Sequence, residues 1–453
     1  MNVGSQGSQA LEHLPTLISL IPPETLAIIL QFVAQNDELN SHILLDLAIV
    51  CRKWRDTVYS HPQFWTNYRC STYSPTSGAR SEGLVPHLQR WFKRAGTLPL
   101  TLKLTITPTH PTPEELPALT SFLIGTTRWH SLHLKLVADS EIGRADTGLW
   151  LNSLFSAVGE ALREDGSSPW EALQQLEVEA RDVRLQEFIR LPFATIAPNL
   201  RELKISLPQI PNAYQLVEGF VNPKKLRCLE IDALINWKDE ILPTFYYHTL
   251  AQATNLKSLK VLDRYRHLEL FDLNFSETVS SFPVFNRTLT TLALHDNRAT
   301  RHCLQNLSLP SLTSLSFISS TNELELDISL SLSTAVGRLV AQSDCKIKHI
   351  RLENTPKLLS VCVRLLQLLT TLESLELHLP SRPFWQSLLL LKRMLVQTLN
   401  DDKPILPNLI SLSVSLSSPI IGEIKKAFAD FVEHPSRWPA SEKGDAVSLP
   451  EDV

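Results

Sequence analysis

Two histidines three residues apart, His130 and His133, and six scattered cysteines are the residues whose types could hold a metal or supply a nucleophile. The cysteines (Cys51, Cys70, Cys228, Cys303, Cys345 and Cys362) form no CxxC pair, and none has a histidine at zinc-like spacing. They read as reduced, packed thiols in a reducing compartment. On a strand, an i, i+3 spacing sends the two histidines to opposite faces, which argues against a shared metal. Asp296 could act as a general base only beside a group that alters its pKa, and no such neighbour is legible in the sequence. The chain has no GxSxG, no phosphate-binding glycine loop and no HExxH. The expectation is therefore a protein that is not an enzyme, with no metal and no cofactor, whose chemistry is that of a binding surface.

Composition narrows the partners. The 453 residues suffice for two or three compact domains or one repeat array. With 43% hydrophobic and 20% charged residues and a net charge of -4, the chain reads as soluble, with no support for nucleic acid or an anionic membrane as partner. The start has no basic segment followed by an apolar one, so no secretory signal is expected, and the sequons at Asn274, Asn286 and Asn306 read as incidental. The apolar run at 358–369 contains an arginine and falls short of the roughly 20 residues of a spanning helix. A cytoplasmic or nuclear location follows as an expectation.

The elements that must build the surface repeat. L-x-x-L-x-L recurs as LQQLEV from Leu173, LRELKI from Leu200, LRCLEI from Leu226, LKSLKV from Leu256, LTTLAL from Leu289, LTSLSF from Leu312, IKHIRL from Ile347, LESLEL from Leu372 and LISLSV from Leu409, with a degenerate copy, WHSLHL, from Trp129. Spacings run from 23 to 44 residues, centred near the roughly 20–29 of leucine-rich repeats. Each copy alternates apolar and polar residues as a short strand does. Pro198, Pro310 and Pro407 stand two residues before a first leucine and end what precedes it. One helix is expected between 138 and 172, and helical spacing is legible at 358–369 and 385–398. Asn297 and Asn354 occupy roughly the place of the asparagine in strict repeats. A nucleotide-binding α/β domain would also alternate strands and helices, but its glycine-rich first turn is missing.

The first seventy residues differ. Pro22 and Pro23 suit a helix start and Glu24 suits its first turn. Leu26, Ile29, Leu30 and Val33 then form an i, i+3, i+4, i+7 stripe. A second segment carries Leu44, Leu47, Ala48 and Cys51, with Trp54 and Val58 continuing the apolar face. Trp54 is expected to be core. The run Ile21-Pro22-Pro23-Glu24-Thr25-Leu26 with Ile29 and Leu30, then Val50-Cys51-Arg52-Lys53-Trp54, then His61-Pro62-Gln63-Phe64-Trp65, resembles the F-box, especially that of the large fungal F-box families. The resemblance implies docking onto the adaptor subunit of an SCF-type (cullin–RING) ubiquitin ligase, through Ile21, Pro22, Pro23, Glu24, Leu26, Ile29 and Leu30. The expected fold class is α/β: a small helical F-box-like unit followed by an irregular leucine-rich-repeat solenoid with a parallel concave sheet. The expected organisation is a flexible N-terminus at 1–19, the F-box-like unit at 20–70, a linker and short helix at 71–97, the solenoid at 98–436 and a flexible tail at 437–453.

The residue between the last two apolar positions of each motif should face the concave surface. That row reads Glu177, Lys204, Glu230, Lys260, Ala293, Ser316, Arg351, Glu376 and Ser413, and its first four members alternate in sign. The next row reads Glu179, Ser206, Asp232, Leu262, His295, Ile318, Glu353, His378 and Ser415. Leu262, His295 and Ile318 are neutral or apolar where polar residues would cost nothing, which marks them as the expected target-binding patch; lateral packing under a connector is the alternative. Function is expected to be recruitment of a target protein to the ligase, against a rival in which the chain is a free-standing scaffold with the F-box-like segment as a mere cap.

Overall fold

The computed structural model describes residues 21–35, 42–71, 83–106, 115–137, 141–165, 168–180, 192–210, 222–235, 241–263, 284–296, 298–318, 332–353, 365–366, 368–379 and 408–416. Three helices come first: α1 (Pro23–Gln35), α2 (His42–Val50) and α3 (Arg52–Ser60), closed by a 3-10 turn at Pro62–Trp65. The first helical hydrogen bond of α1 runs from the Leu26 N–H to the Pro22 carbonyl at 2.9 Å. Lys53 ties α3 back to that start by donating to the Ile21 carbonyl at 2.6 Å. Arg55 caps α2 by donating to the Ala48 carbonyl at 3.3 Å, which satisfies an acceptor left open by the helix end.

Strand β1 (Asn67–Ser71) follows the 3-10 turn directly. The rest of the solenoid comprises α4 (Leu84–Arg94), β2 (Leu100–Ile106), α5 (Leu116–Gly125), β3 (Trp129–Leu136), α6 (Glu141–Asp165), β4 (Gln175–Glu179), α7 (Phe193–Ile196), β5 (Glu202–Ile210), β6 (Cys228–Ile235), α8 (Ile241–Gln252) and β7 (Ser258–Asp263). It continues through β8 (Val284–Phe285), β9 (Thr291–His295), α9 (Arg298–Leu304), β10 (Leu307–Ser308), β11 (Ser314–Ile318), α10 (Leu332–Ser343), β12 (His349–Glu353), β13 (Ser374–Leu379) and β14 (Ser411–Leu416). Twelve strands form one sheet in the order β1-β2-β3-β4-β5-β6-β7-β9-β11-β12-β13-β14, every described pair parallel; β8 and β10 make a separate two-stranded ladder. The sheet thus begins at Asn67, ahead of the solenoid start expected at residue 98. The early strands NYRCS and LTLKLTI lack the full leucine motif, so the repeat signal could not reveal them.

In the eight copies from Leu173 to Leu372, the first, fourth and sixth motif positions are all buried, as Leu173, Leu176 and Val178 are in the first. One face of the sheet therefore packs into the core, and the described side chains of the other are mostly half-buried or exposed, apart from Ser131, Ala293 and His295, which are buried. At the start of β5, β6 and β7 two consecutive N–H groups donate to one carbonyl of the previous repeat: Arg201 and Glu202 to Gln174, Arg227 and Cys228 to Arg201, Lys257 and Ser258 to Arg227. The asparagine signal also exists, but one residue before the first leucine. Asn199 donates to the Glu171 carbonyl at 2.9 Å, Asn255 to Lys224 at 2.6 Å and Asn408 to Thr370 at 2.7 Å. Thr288 and Ser311 do the same, to Thr254 at 2.9 Å and Arg287 at 2.6 Å. These side chains pair carbonyls that a turn between repeats would otherwise leave open. Asn297 and Asn354, which stand roughly in the place of the asparagine of strict repeats, lie outside the described residues, as do Cys362, Asn274, most of 358–369 and all of 385–398. The single helix expected between 138 and 172 is α6.

Candidate functional site

In the helical unit, Leu26 and Leu30 are 1% and 0% exposed, packed in a core with Leu44, Ala48 and Val58. Both were expected to contact the adaptor, and their burial removes them from any docking surface. The most regular apolar stripe of a three-helix unit is needed for its own core. A second apolar stripe lies two residues on, about 200° around the helix. There Ile28 is 67% exposed, Phe32 82% and Ile29 44%. On α2, Ile49 and Val50 are likewise exposed. A helix that is apolar on both faces needs cover on both, and this unit covers only one. Pro22, Pro23 and Glu24 are exposed and Ile21 is half-buried. Sequence reasoning missed Ile28, Phe32, Ile49 and Val50, although the unbroken run AIIL in α1 carried the signal. The other exposed large apolar residues of the repeat region, Leu98, Leu149, Phe285, Leu368 and Ile410, lie on separate elements.

The unit is fastened to the repeats by aromatic packing. Trp65 is fully buried, donates to the Val58 carbonyl at 3.0 Å and meets the Trp91 ring of α4 edge-on at 4.7 Å. Trp91 donates to the Asn67 carbonyl at 3.1 Å and meets Tyr68 at 5.0 Å. The Arg94 guanidinium lies 4.4 Å from the Trp65 ring centre and 5.0 Å from that of Tyr59. Trp54, expected as core, is only half-buried, and its buried indole nitrogen has no hydrogen-bond partner among the described residues.

On the open face of the sheet, strand register places Glu177, Lys204, Glu230 and Lys260 side by side, the alternating row expected from the sequence. Lys260 is bonded to Glu230. His133 lies between Ser131, whose Oγ is 2.9 Å from Nε2, and Glu177, whose Oε2 is 2.8 Å from Nδ1. That is the order of a nucleophile relay. Ser131, however, is buried and stands in the ladder between Thr101 and Gln175, so the backbone N–H groups around it serve strand pairing rather than an oxyanion. The hydrogen bond from His133 holds the Glu177 carboxyl below its usual range, with Lys204 and Lys103 adding to the effect. Burial pushes the thiols of Cys228, Cys303 and Cys345 upward and that of Cys70 to about 11, the opposite of an activated thiolate. Asn286 is buried and spends its amide on the Leu250 and Ala253 carbonyls.

Of the three residues of the expected target patch, Leu262 and Ile318 are half-buried. His295 is only 7% exposed, contrary to its expected exposure. Its surroundings account for this: Ile318 stands directly opposite in register, and Asp296, the next residue, is itself buried. Asp296 accepts two bonds from the Arg301 fork, at 2.8 and 3.1 Å. Desolvation lowers the His295 pKa from its ordinary 6.5, against an opposing pull from Asp296. The unfolded chain therefore binds the proton more readily. The contribution of His295 to stability is complete above pH 6.5 and is lost as pH drops below that value. His295→Gln should flatten this part of the profile in thermal melts at stepped pH; an unchanged slope would place the dependence elsewhere.

The F-box domain family matches residues 18–66, which supports reading the chain as an F-box protein. No curated protein matches the chain. Among solved structures, a crystal structure of a protein from Bacteroides fragilis is similar over 71% of this chain and 70% of its own, at 11% identity and a TM-score of 0.31. Among the described residues, no helix is long and apolar enough to cross a membrane.

Proposed function

We propose that the chain is a substrate-recruiting subunit of an SCF-type cullin–RING ubiquitin ligase. The F-box unit holds the adaptor subunit, and the open face of the repeat sheet presents a target protein, with Leu262 and Ile318 as an apolar element of that face. The mechanism is proximity: a tethered target meets the transferring enzyme at a raised effective concentration, with no chemistry required of this chain. The observation that carries the reading is the uncovered second stripe of α1, Ile28, Ile29 and Phe32, with Ile49 and Val50 of α2, outside a core that is already complete. Its position within the F-box match supports the adaptor as the partner. Adsorbing purified full-length chain to immobilised adaptor tests this. Stoichiometric capture is expected, and absence of capture would overturn it in favour of a scaffold.

A further inference from the structure

The helical layer behind the sheet opens between α4 and α5, where a groove of about 610 Å³ runs. α4 lines it with Val85, Gln89 and Lys93, one row at four-residue spacing, and α5 faces them with Ala118, Ser121 and Gly125, whose small side chains keep that wall low. Phe122, half-buried and stacked on Phe92 at 6.4 Å, gives the groove an apolar floor. Ala118, Ser121 and Gly125 are exposed, so the groove is open along its length. A small molecule, which needs most of its surface covered, would stay largely in water there. A third helix needs cover on one side only, and small residues permit the approach of about 8–10 Å at which helices pack. The groove is also charged at one end. Both helices return the chain between parallel strands and so run the same way, which brings Lys93 and Arg128 together at their C-terminal ends. Arg128 is bonded to the Gly96 and Leu98 carbonyls, and neither cation has a carboxylate partner among the described residues. No acid lines the groove among the described residues; Glu115, at the opposite end, accepts the Leu84 N–H at 3.1 Å.

The same chain carries a helix of matching length and charge. α1 spans 13 residues, against 11 in α4 and 10 in α5, and its exposed face repeats the four-residue spacing as Glu24, Ile28 and Phe32. Glu24 is its one charged residue. The exposure of Ile28 and Phe32 shows that α1 does not fill the groove of its own chain. We propose that α1 of one copy of this chain seats in the α4–α5 groove of a second copy, antiparallel to both helices, with Glu24 between Lys93 and Arg128 and with Ile28 and Phe32 laid along Gln89 and Val85. That direction also brings the positive end of the α1 dipole to the negative ends of α4 and α5. The contact is head-to-tail, one copy giving its helix and the next its groove, so it builds open chains or closed rings. An interface of one helix belongs to the small, transient class, and the dilute chain is a monomer. Self-association covers the stripe that holds the adaptor, so the two exclude one another and copies without adaptor are held idle. That consequence rests on the adaptor reading; the contact between copies does not.

Light scattering on the purified full chain, from roughly 1 to 100 µM, tests this without adaptor. The average mass should begin at one chain and rise with concentration. Ile28→Asp with Phe32→Asp should weaken the association roughly thirtyfold or more. Gly125→Phe should do the same from the other side: a Cβ at Gly125 meets nothing within 4 Å, so the ring enters the groove and the melting temperature is not lowered. Adaptor affinity of Gly125→Phe, measured on dilute monomer, should equal that of wild type. Glu24→Lys or Lys93→Glu alone should weaken association about fivefold, and the two together in one chain should restore it, because the charges are then exchanged across the contact. A mass that stays at one chain up to the highest concentration, or a rise that Gly125→Phe leaves intact, overturns the proposal. Failure of the charge exchange to restore association overturns the antiparallel seating. A chain that associates through this groove yet captures no adaptor refutes the adaptor reading alone.

Discussion

Ile28→Asp combined with Phe32→Asp is expected to weaken adaptor binding by roughly a hundredfold or more while leaving the melting temperature of the chain unchanged. Both side chains stand in water in the free protein, so replacing them removes no folding contact. In a complex they are the large apolar groups available on α1, and residues of that kind at the centre of an interface cost about 2 kcal/mol or more each when lost. A carboxylate left in a dry interface adds a desolvation penalty. The contrast with Leu30→Asp is the informative one. Leu30 has no exposed surface, so its substitution should unfold the helical unit and abolish binding indirectly. Titration calorimetry with thermal melts on the same preparations separates the two effects. A double variant that binds as wild type does would move the docking surface off α1.

Trp65→Ala is expected to cost roughly 3–5 kcal/mol and to abolish cooperative folding of the N-terminal region. The ring is fully buried, and it meets Val58, Trp91, Tyr59 and Arg94 at once. A helical unit of this size has little stability to spare. Because Trp65 packs on α4, the loss should reach β1 and β2 as well, visible as faster amide exchange at both. An unchanged melting curve would show that the helical unit and the sheet are stabilised independently of this contact. Trp54, expected as core, is half-buried against the core, and its indole N–H has no hydrogen-bond partner among the described residues, so the larger effect is expected of Trp65. Sequence spacing placed both tryptophans in the same unit but could not say which ring the helices close over.

The solenoid was legible because its physics is periodic. Three apolar positions in six residues force a strand with one buried face, and register follows once each copy aligns with the next. Where the period fails, so does the reading: Tyr68 and Cys70 of β1 take the places of motif leucines and carried no repeat signal. The docking surface was only half legible. The apolar stripe at Leu26 and Leu30 is a correct helical signal, yet a stripe cannot announce whether it faces its own core or a partner. That distinction requires the other helices, which leave Ile28 and Phe32 exposed and so shift the proposed surface to them. His295 failed for a related reason: alternation gives the face, whereas burial depends on neighbouring strands, here Ile318 opposite and the Asp296–Arg301 pair beside it.

Hydrogen exchange on the full chain, alone and saturated with adaptor, tests the central claim most directly, because it reads docking at each helix without any substitution. The amides of α1 and α2 should be strongly protected on binding, while those of β4 to β13 exchange as in the free chain. Protection confined to the sheet, or no change at α1 and α2 under saturating adaptor, would contradict the assignment of that surface.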